Sequence, residues 1–228
     1  MPPNHVAIGD PGGTALLFVD PYNDFLSAEG KIWPNLAKVA QSVGLLANLK
    51  AVSEAVRRAG IQVVIVPHHR STPGDYEGWD HPTPYQLAGK RLQKFGAGSW
   101  GGDWHPAFAP QEGDLVATEH WGSSGFSNTN LDTLLKQKAI SRVILIGMVA
   151  NTCIESTGKY ASELGYHVTL VRDATAAVSA EAMRLAHDIN GPTYAHAIVT
   201  SAEIITALEG QCWLANRRGL EQPSSFEA

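Results

Sequence analysis

The sequence predicts an α/β protein built around a parallel sheet of six strands. Short apolar runs of strand length recur along the chain, and segments with helical spacing of apolar residues separate most of them. No apolar stretch approaches the roughly 20 residues that a membrane-spanning helix needs. Each intervening helix returns the chain to the same edge of the sheet, so successive strands are expected to run parallel.

The first half of the chain supplies two strands and a helical segment. An apolar run at 15–19 predicts the first strand, which ends at Asp20. The second is predicted at 63–66 and stops at Pro67, because proline cannot donate to a sheet ladder. Between them, Gly60 is placed to close a helix. Apolar residues at helical spacing mark that helix: Leu36, Val39, Val43, Leu46, Leu49, Val52 and Val56.

The segment from 67 to 113 interrupts this pattern. It carries four of the nine histidines and three of the six tryptophans, together with many glycines and prolines. Long loops inside compact domains are usually lids or binding loops. We therefore expect 67–113 to be an active-site or interface loop.

The second half resumes the alternation. Strands are predicted at 115–117, 143–146, 168–171 and 197–199, with helices at 131–135, 153–164, 179–186 and 201–208. Thr152 and Glu155 fit a capping box for a helix that begins at Cys153. Ser179 and Ser201 are predicted to cap the last two helices. Residues 211–228 are expected to form a tail beyond a core of about 15–208.

Composition limits the class of protein. The chain has 228 residues, 44% of them hydrophobic and 17% charged, with a net charge of −5. One domain spanning 1–228 in the cytoplasm is expected, since the N-terminus does not resemble a signal peptide and two cysteines cannot form a disulfide framework. No basic face argues for nucleic acid or an anionic membrane, so the expected partner is a small-molecule substrate.

Two residues stand where chemistry is expected in a parallel sheet, at the carboxyl ends of strands. Asp20 follows the first strand directly, and Cys153 lies six residues after Gly147, which ends the fourth. A helix N-terminus is expected to lower the pKa of the Cys153 thiol, and Asp20 to take its proton. Each residue alone also fits a structural role, Cys153 as a small buried side chain and Asp20 as a backbone hydrogen-bond acceptor.

In these positions the residues resemble the isochorismatase-like hydrolases. The run from Leu16 to Asp20, followed by Asn23-Asp24-Phe25, is similar to the family's opening strand. The segment from Gly147 to Cys153 is similar to its nucleophile turn, and Thr200 to Ile204 to its closing strand and helix. The match extends from about Ala15 to Leu208.

The resemblance implies a doubly wound sheet with strand order 3-2-1-4-5-6 and helices on both faces. It implies hydrolysis of a C–N bond in a small amide, imide or carbamoyl compound through a thioester on Cys153, with no metal or other cofactor. A cis peptide would join Met148 to Val149, and the N–H groups of Val149 and Cys153 would form the oxyanion hole. Members are commonly dimers or larger homo-oligomers, so a dimer or tetramer is expected.

One residue departs from the family pattern. The family's catalytic lysine follows the third strand, where this chain is expected to carry Glu119. Two carboxylates and a thiolate in one site would repel, since like charges 4 Å apart at a dielectric near 20 cost about 4 kcal/mol. We therefore expect Glu119 to join Cys153 and Asp20 as a catalytic residue that lines the site, either protonated or neutralised by a neighbour such as His120 or Lys94. Contact with a cationic substrate and a solvated glutamate are the alternatives.

Aromatic and polar residues near these motifs are candidates for the substrate pocket. The set expected to contact substrate is Phe25, Tyr22, Trp121, Trp100, His120 and Asn151. A metal site using His68 or His69 with His81 is a weaker alternative to loop histidines that form hydrogen bonds. Two rival functions remain open: a vinyl ether hydrolase that uses Asp20 alone, and a non-catalytic binding or scaffold protein.

Overall fold

The computed structural model describes the backbone of residues 8–220 and the side chains of 8–210. Its centre is a six-stranded parallel sheet in the order β3-β2-β1-β4-β5-β6, which confirms the predicted fold class and strand order. The strands are β1 (Thr14–Val19), β2 (Gln62–Val66), β3 (Leu115–Val116), β4 (Arg142–Met148), β5 (His167–Ala176) and β6 (Ala197–Val199).

Helices connect the strands along the chain. They are α1 (Asn23–Leu26), α2 (Trp33–Val43), α3 (Leu45–Arg58), α4 (Pro84–Leu92), α5 (Leu131–Gln137), α6 (Glu155–Glu163), α7 (Ala180–Arg184) and α8 (Ser201–Leu220). A π-helical turn at Ala150–Ile154 leads into α6, and a second at Leu185–Asn190 follows α7.

The sheet has a hydrophobic core on each face. In β1, Leu16 and Phe18 point into one core with residues of α2, α3 and α8, while Leu17 and Val19 point into the other with residues of α5 and α6. Because side chains alternate along a strand, a sheet covered on both faces needs apolar residues at every position. This explains why the central strands appear in the sequence as continuous apolar runs.

Three expected elements differ in the structure. The helical spacing from 36 to 56 belongs to two helices, because Gly44 takes a left-handed conformation (φ 69°) between α2 and α3. The segment 67–113 is not only loop, since it contains α4. The expected tail is also partly wrong: α8 continues to Leu220, while residues 221–228 lie outside the described part of the chain.

Two of the three predicted caps are also wrong. Ser179 does accept a hydrogen bond from the Ala182 N–H at the start of α7, as expected. At α8 the capping box is formed by Thr200 with Glu203, and the hydroxyl of Ser201 donates to Asp173 instead. Within residues 8–220, none of the helices is both long and apolar enough to cross a bilayer.

Candidate active site

Asp20 lies at the carboxyl end of β1, in the middle of the sheet. Its N–H donates to the Val66 carbonyl of β2, and its own carbonyl accepts from the Tyr22 N–H at 2.8 Å. The backbone takes the left-handed conformation at Asp20 (φ 55°), which turns the chain away from the sheet. The side chain is 0% exposed, and Oδ2 has no hydrogen-bond partner in the described chain.

The side chain of His120 contacts Asp20 from the segment that follows β3. The chain beyond β3 pairs again with the chain beyond β2, where the His120 N–H donates to Pro67 and its carbonyl accepts from His69. This places His120 Nε2 3.1 Å from Asp20 Oδ1, while Nδ1 lies 3.0 Å from the Gly122 carbonyl oxygen. Since a carbonyl only accepts, Nδ1 carries a proton, and a second proton lies between Nε2 and the carboxylate.

Burial disfavours a charged imidazole at this place, but the environment of His120 outweighs it. The charge of Asp20, the hydrogen bond to it and the Gly122 carbonyl together raise the pKa of His120 above its ordinary value. Asp20 and His120 therefore form a buried hydrogen-bonded pair in which the imidazole holds its proton more strongly than a free histidine does.

Cys153 lies in the turn that follows β4. The Met148–Val149 peptide bond is cis, the bond to which the resemblance assigned that geometry, and the chain then enters the π-helical turn. The predicted capping box is absent. The Thr152 hydroxyl lies 3.9 Å from the Cys153 sulfur, and the Glu155 carboxylate binds Lys159. The helical segment thus begins at Ala150, before Cys153.

The sulfur, the imidazole and the carboxylate converge. One ligand-type atom from each of Asp20, His120 and Cys153 lies within 4.8 Å of the other two, and all three residues are buried. The expectation of a lowered thiol pKa is wrong. Burial raises the pKa of Cys153 well above its ordinary value, and the Asp20 charge adds to this effect. The resting sulfur is therefore a neutral thiol.

Glu119 does not join this group. Arg70 binds it through the backbone N–H at 2.9 Å and the guanidinium at 2.5 Å, and His69 Nδ1 lies 3.5 Å away. Burial opposes the charge, but the hydrogen bonds from His69 and Arg70 lower the pKa of Glu119 to about 2. Glu119 is thus ionised and neutralised by partners, as one hypothesis required, but the partners are not His120 or Lys94.

A cavity of about 540 Å³, within the usual range for small-molecule sites, borders the turn that carries Cys153, although Cys153 itself is not among the lining residues. Cys153 is 5% exposed, and its neighbours in the turn form one wall. The lining comprises Phe25, Ile32, Asn35, Leu36, Tyr85, Ala88, Gly89, Leu92, Lys94, Val149, Asn151, Thr152 and Val178. Two of the residues expected to contact substrate, Phe25 and Asn151, are among them.

Three expected aromatic contacts are not part of this lining. Tyr22 is buried between Phe95 and Trp104, and its hydroxyl donates to the His68 carbonyl. Trp121 stacks on His69 with ring centroids 3.5 Å apart. Trp100 is half exposed, and its carbonyl accepts from Asn23. All three pack the 67–113 segment against the rest of the protein, and their contact with substrate stays a prediction.

Lys94 is the residue of this site that sequence reasoning undervalued. It was considered only as a partner for Glu119, whereas its side chain lines the cavity. Its Nζ lies 4.2 Å from the centre of the Tyr85 ring. The sequence offered no direct signal, because Lys94 follows a helix that was not predicted.

Sulfur, imidazole and carboxylate are also ligands that zinc accepts. Asp20, His120 and Cys153 are the donors in the described chain that could hold such an ion together, and a metal-free centre stays a prediction. Among described residues, His68, His69 and His81 form no such group. Nδ1 of His68 lies 2.9 Å from the His69 carbonyl, and His69 binds Asp75.

Comparison with known proteins identifies the family. The family model described as an isochorismatase domain matches residues 14–203 of the chain. The chain belongs to the isochorismatase family. Among isochorismatase-family relatives, the ureidoacrylate amidohydrolase RutB of Pantoea ananatis is 32% identical over 192 residues, covering 74% of this chain and 72% of the relative. The RutB of Variovorax paradoxus is 29% identical, covering 79% and 75%.

Solved structures show the same isochorismatase-like fold. A cysteine hydrolase from Pseudomonas syringae pv. phaseolicola superposes with a TM-score of 0.73 at 24% identity, covering 89% of this chain and 95% of that one. N-carbamoylsarcosine amidase from Thermoplasma acidophilum superposes with a TM-score of 0.59 at 28% identity, covering 82% and 96%.

Proposed function

We propose that this family member is a cysteine hydrolase that cleaves a C–N bond in a small amide, imide or carbamoyl compound through a thioester on Cys153. The observation that carries this proposal is the convergence of the Cys153 sulfur with the buried Asp20–His120 pair beside an open cavity. The names of the similar proteins, an amidohydrolase and an amidase, support the same class of reaction.

The protonation states of the site residues are consistent with this reaction. The thiol is neutral at rest, so Asp20 takes its proton as the sulfur attacks the substrate carbonyl. Asp20 then returns that proton to the leaving nitrogen, and water hydrolyses the thioester in a second cycle. His120 stabilises the charged carboxylate, and so supplies the positive partner that the family lysine would provide.

The oxyanion of the tetrahedral intermediate needs donors close to the sulfur. In this proposal the N–H groups of Val149 and Cys153 supply them. Val149 lines the cavity, and its N–H has no acceptor among the described residues. A donor without a partner at this position is available to a substrate oxygen.

Substitution of the two reacting residues tests the mechanism. We expect Cys153→Ser and Asp20→Asn each to lower kcat/KM by about a thousandfold or more, because each removes a group that forms or transfers a bond. Asparagine suits the test at position 20, since it tolerates the left-handed conformation. Turnover of a panel of amides and carbamoyl compounds would be measured, with mass spectrometry of an acyl adduct on Cys153.

Cys212→Ser is the matched control, because it removes the chain's other thiol. It should retain turnover and the adduct. Full activity of Cys153→Ser would exclude the thioester. A thiol of ordinary reactivity, with no turnover of any compound in the panel, would favour a non-catalytic protein.

A further inference from the structure

The ammonium group of Lys94 lies at the wall of the cavity, and no carboxylate of the described chain forms an ion pair with it. Lys94 is 9% exposed as a residue, and its Nζ forms no hydrogen bond or ion pair with any described residue. The face of the Tyr85 ring, 4.2 Å away, compensates only part of the lost hydration. Because most of the residue is buried and its Nζ has no acceptor among the described residues, an anion bound in the cavity would stabilise this arrangement.

The chain is shaped to hold Lys94 in this position. The residues on either side, Gln93 and Phe95, both take the left-handed conformation, with φ of 49° and 50°. The Phe95 N–H is fixed by Asp24 Oδ2 at 2.7 Å, and the Lys94 N–H donates to Gly89. Two non-glycine residues in this region cost free energy that the surrounding contacts must offset, and such strain clusters at functional sites.

Gly89 provides the space that the lysine side chain occupies. A Cβ at this position would lie 2.7 Å from Lys94 Cε and 3.2 Å from Nζ. Gly89 is an interior residue of α4, where glycine is disfavoured relative to alanine by about 1 kcal/mol. The glycine at position 89 therefore makes room for the ammonium of Lys94 but lowers the stability of α4.

Lys94 does not take over the contact with Asp20. His120 occupies Oδ1 of that carboxylate, and Lys94 is not within ion-pair distance of either oxygen. Burial lowers the pKa of Lys94, while Coulombic interactions with Cys153 and Asp20 act in the opposite direction. The charge of Lys94 therefore interacts with the thiol. The ammonium thus lies near enough to Cys153 and Asp20 to interact with them electrostatically, and its side chain lines the cavity.

We propose that Lys94 forms a carboxylate-binding subsite, and that the substrate is an amide or carbamoyl compound that carries a carboxylate. The identity of the substrate rests on the proposed function, whereas the subsite itself does not. One ammonium matches one negative charge. The apolar side chains of Phe25, Leu36 and Val149 suit a short carbon chain between that carboxylate and the scissile bond.

Alkylation of Cys153 tests the subsite without any turnover. Iodoacetate and iodoacetamide react with a thiol in the same way but differ in charge, and a Cys212→Ser background leaves Cys153 as the one thiol in the chain. The ratio of the two alkylation rates, iodoacetate over iodoacetamide, measures preference for a carboxylate. We expect Lys94→Met to lower this ratio about tenfold, since a charge-assisted hydrogen bond is lost.

Three further variants separate the subsite from other causes. Lys94→Arg should keep most of the ratio, because it keeps a cation. Gly89→Ala should lower it without any change of charge, because the new Cβ displaces the ammonium. Lys90→Met is the matched control: Lys90 lies on α4 and pairs with Glu77 outside the cavity lining, so the ratio should not change.

Several results would overturn the proposal. An unchanged ratio in Lys94→Met would exclude a carboxylate contact. An equal fall in both rates would show that Lys94 acts on the thiol alone. Lys94→Gln provides the same readout if the Met variant fails to fold. Because the assay requires no hydrolysis, an inactive protein with a Lys94-dependent ratio would overturn the proposed function and leave the subsite intact.

Discussion

His120 and Glu119 are adjacent in the sequence and have opposite surroundings. His120 is fully buried against Asp20, whereas Glu119 is held by Arg70 and His69 on the other side of the chain. The chain here continues the line of β3, and successive side chains of an extended segment point in opposite directions. A shift of one residue therefore decides which side chain meets the thiol.

This offset explains what the sequence could and could not reveal about the site. Asp20 was predicted because it directly follows an apolar run, and Cys153 because it follows the fourth strand across a turn into a predicted helix. The register of the chain beyond β3 carries no such mark, since β3 has only two residues and the loop that follows is polar. The expected contact was consequently assigned to Glu119 instead of His120.

Glu119 should stabilise the fold in a pH-dependent manner. Its pKa is lowered from 4.5 to about 2, so its contribution is complete above 4.5 and is lost as pH falls toward 2. We expect Glu119→Gln to lower the free energy of unfolding by about 1 kcal/mol at neutral pH, a value reduced by partial solvent exposure. Urea denaturation at several pH values measures the difference between the two proteins, which should shrink in acid.

An exposed glutamate without such partners is the control for this measurement. Glu163→Gln, at the end of α6, should change the free energy of unfolding by less than about 0.5 kcal/mol at any pH. A difference for Glu119→Gln that stayed constant down to pH 2 would contradict a contribution from the charged form.

Among the secondary-structure elements, α4 links the long segment to the cavity. It contributes Tyr85, Ala88, Gly89 and Leu92 to the lining, and Lys94 follows two residues after its end. Its start carries a complete capping box, in which the Thr83 hydroxyl accepts from the Gln86 N–H and the Gln86 side chain accepts from the Thr83 N–H. With Pro84 at the first helical position, this signal was present in the sequence. It was overlooked because the glycines and prolines around it favoured a loop.

Loss of this cap should loosen α4 selectively. Thr83→Val removes the side-chain acceptor, which typically costs about 1 kcal/mol. We expect amide hydrogen exchange in α4 to accelerate about fivefold, since exchange through local opening follows the local stability. Hydrogen–deuterium exchange with mass spectrometry of peptides from α4 measures this change.

Thr200→Val serves as the comparison, because it removes the equivalent cap at α8, which lies outside the cavity lining. It should accelerate exchange in the first turn of α8 and leave α4 unaffected. Equal exchange in α4 for the Thr83 variant and the unaltered protein would show that packing, not the cap, maintains this helix.

For the whole molecule, the fold could be predicted from the sequence where burial is complete. Three central strands, β2, β1 and β4, were predicted within two residues of their ends, whereas β5 starts one residue before its predicted start and runs five residues past its predicted end. The weakest predictions concern 67–113, where packing depends on stacked aromatic rings and single hydrogen bonds between residues distant in the sequence. Such contacts leave no periodic pattern, so only coordinates reveal them.

The oligomeric state of the protein stays a prediction. The family resemblance implies a dimer or tetramer, and the described chain exposes several large apolar side chains, such as Trp79, Val178 and Ile189. We expect sedimentation velocity at micromolar concentration to give two or four times the chain mass of 24.4 kDa. A single species at the chain mass, unchanged on tenfold concentration, would contradict this expectation.

The neutral, buried state of the Cys153 sulfur also bears on how the protein withstands oxidants. Peroxides attack the thiolate, and sensor cysteines combine a low pKa with solvent access. Cys153 has the opposite properties at rest, a raised pKa and 5% exposure. If Cys153 is the proposed nucleophile, these properties would shield it from sulfenic acid formation between turnovers.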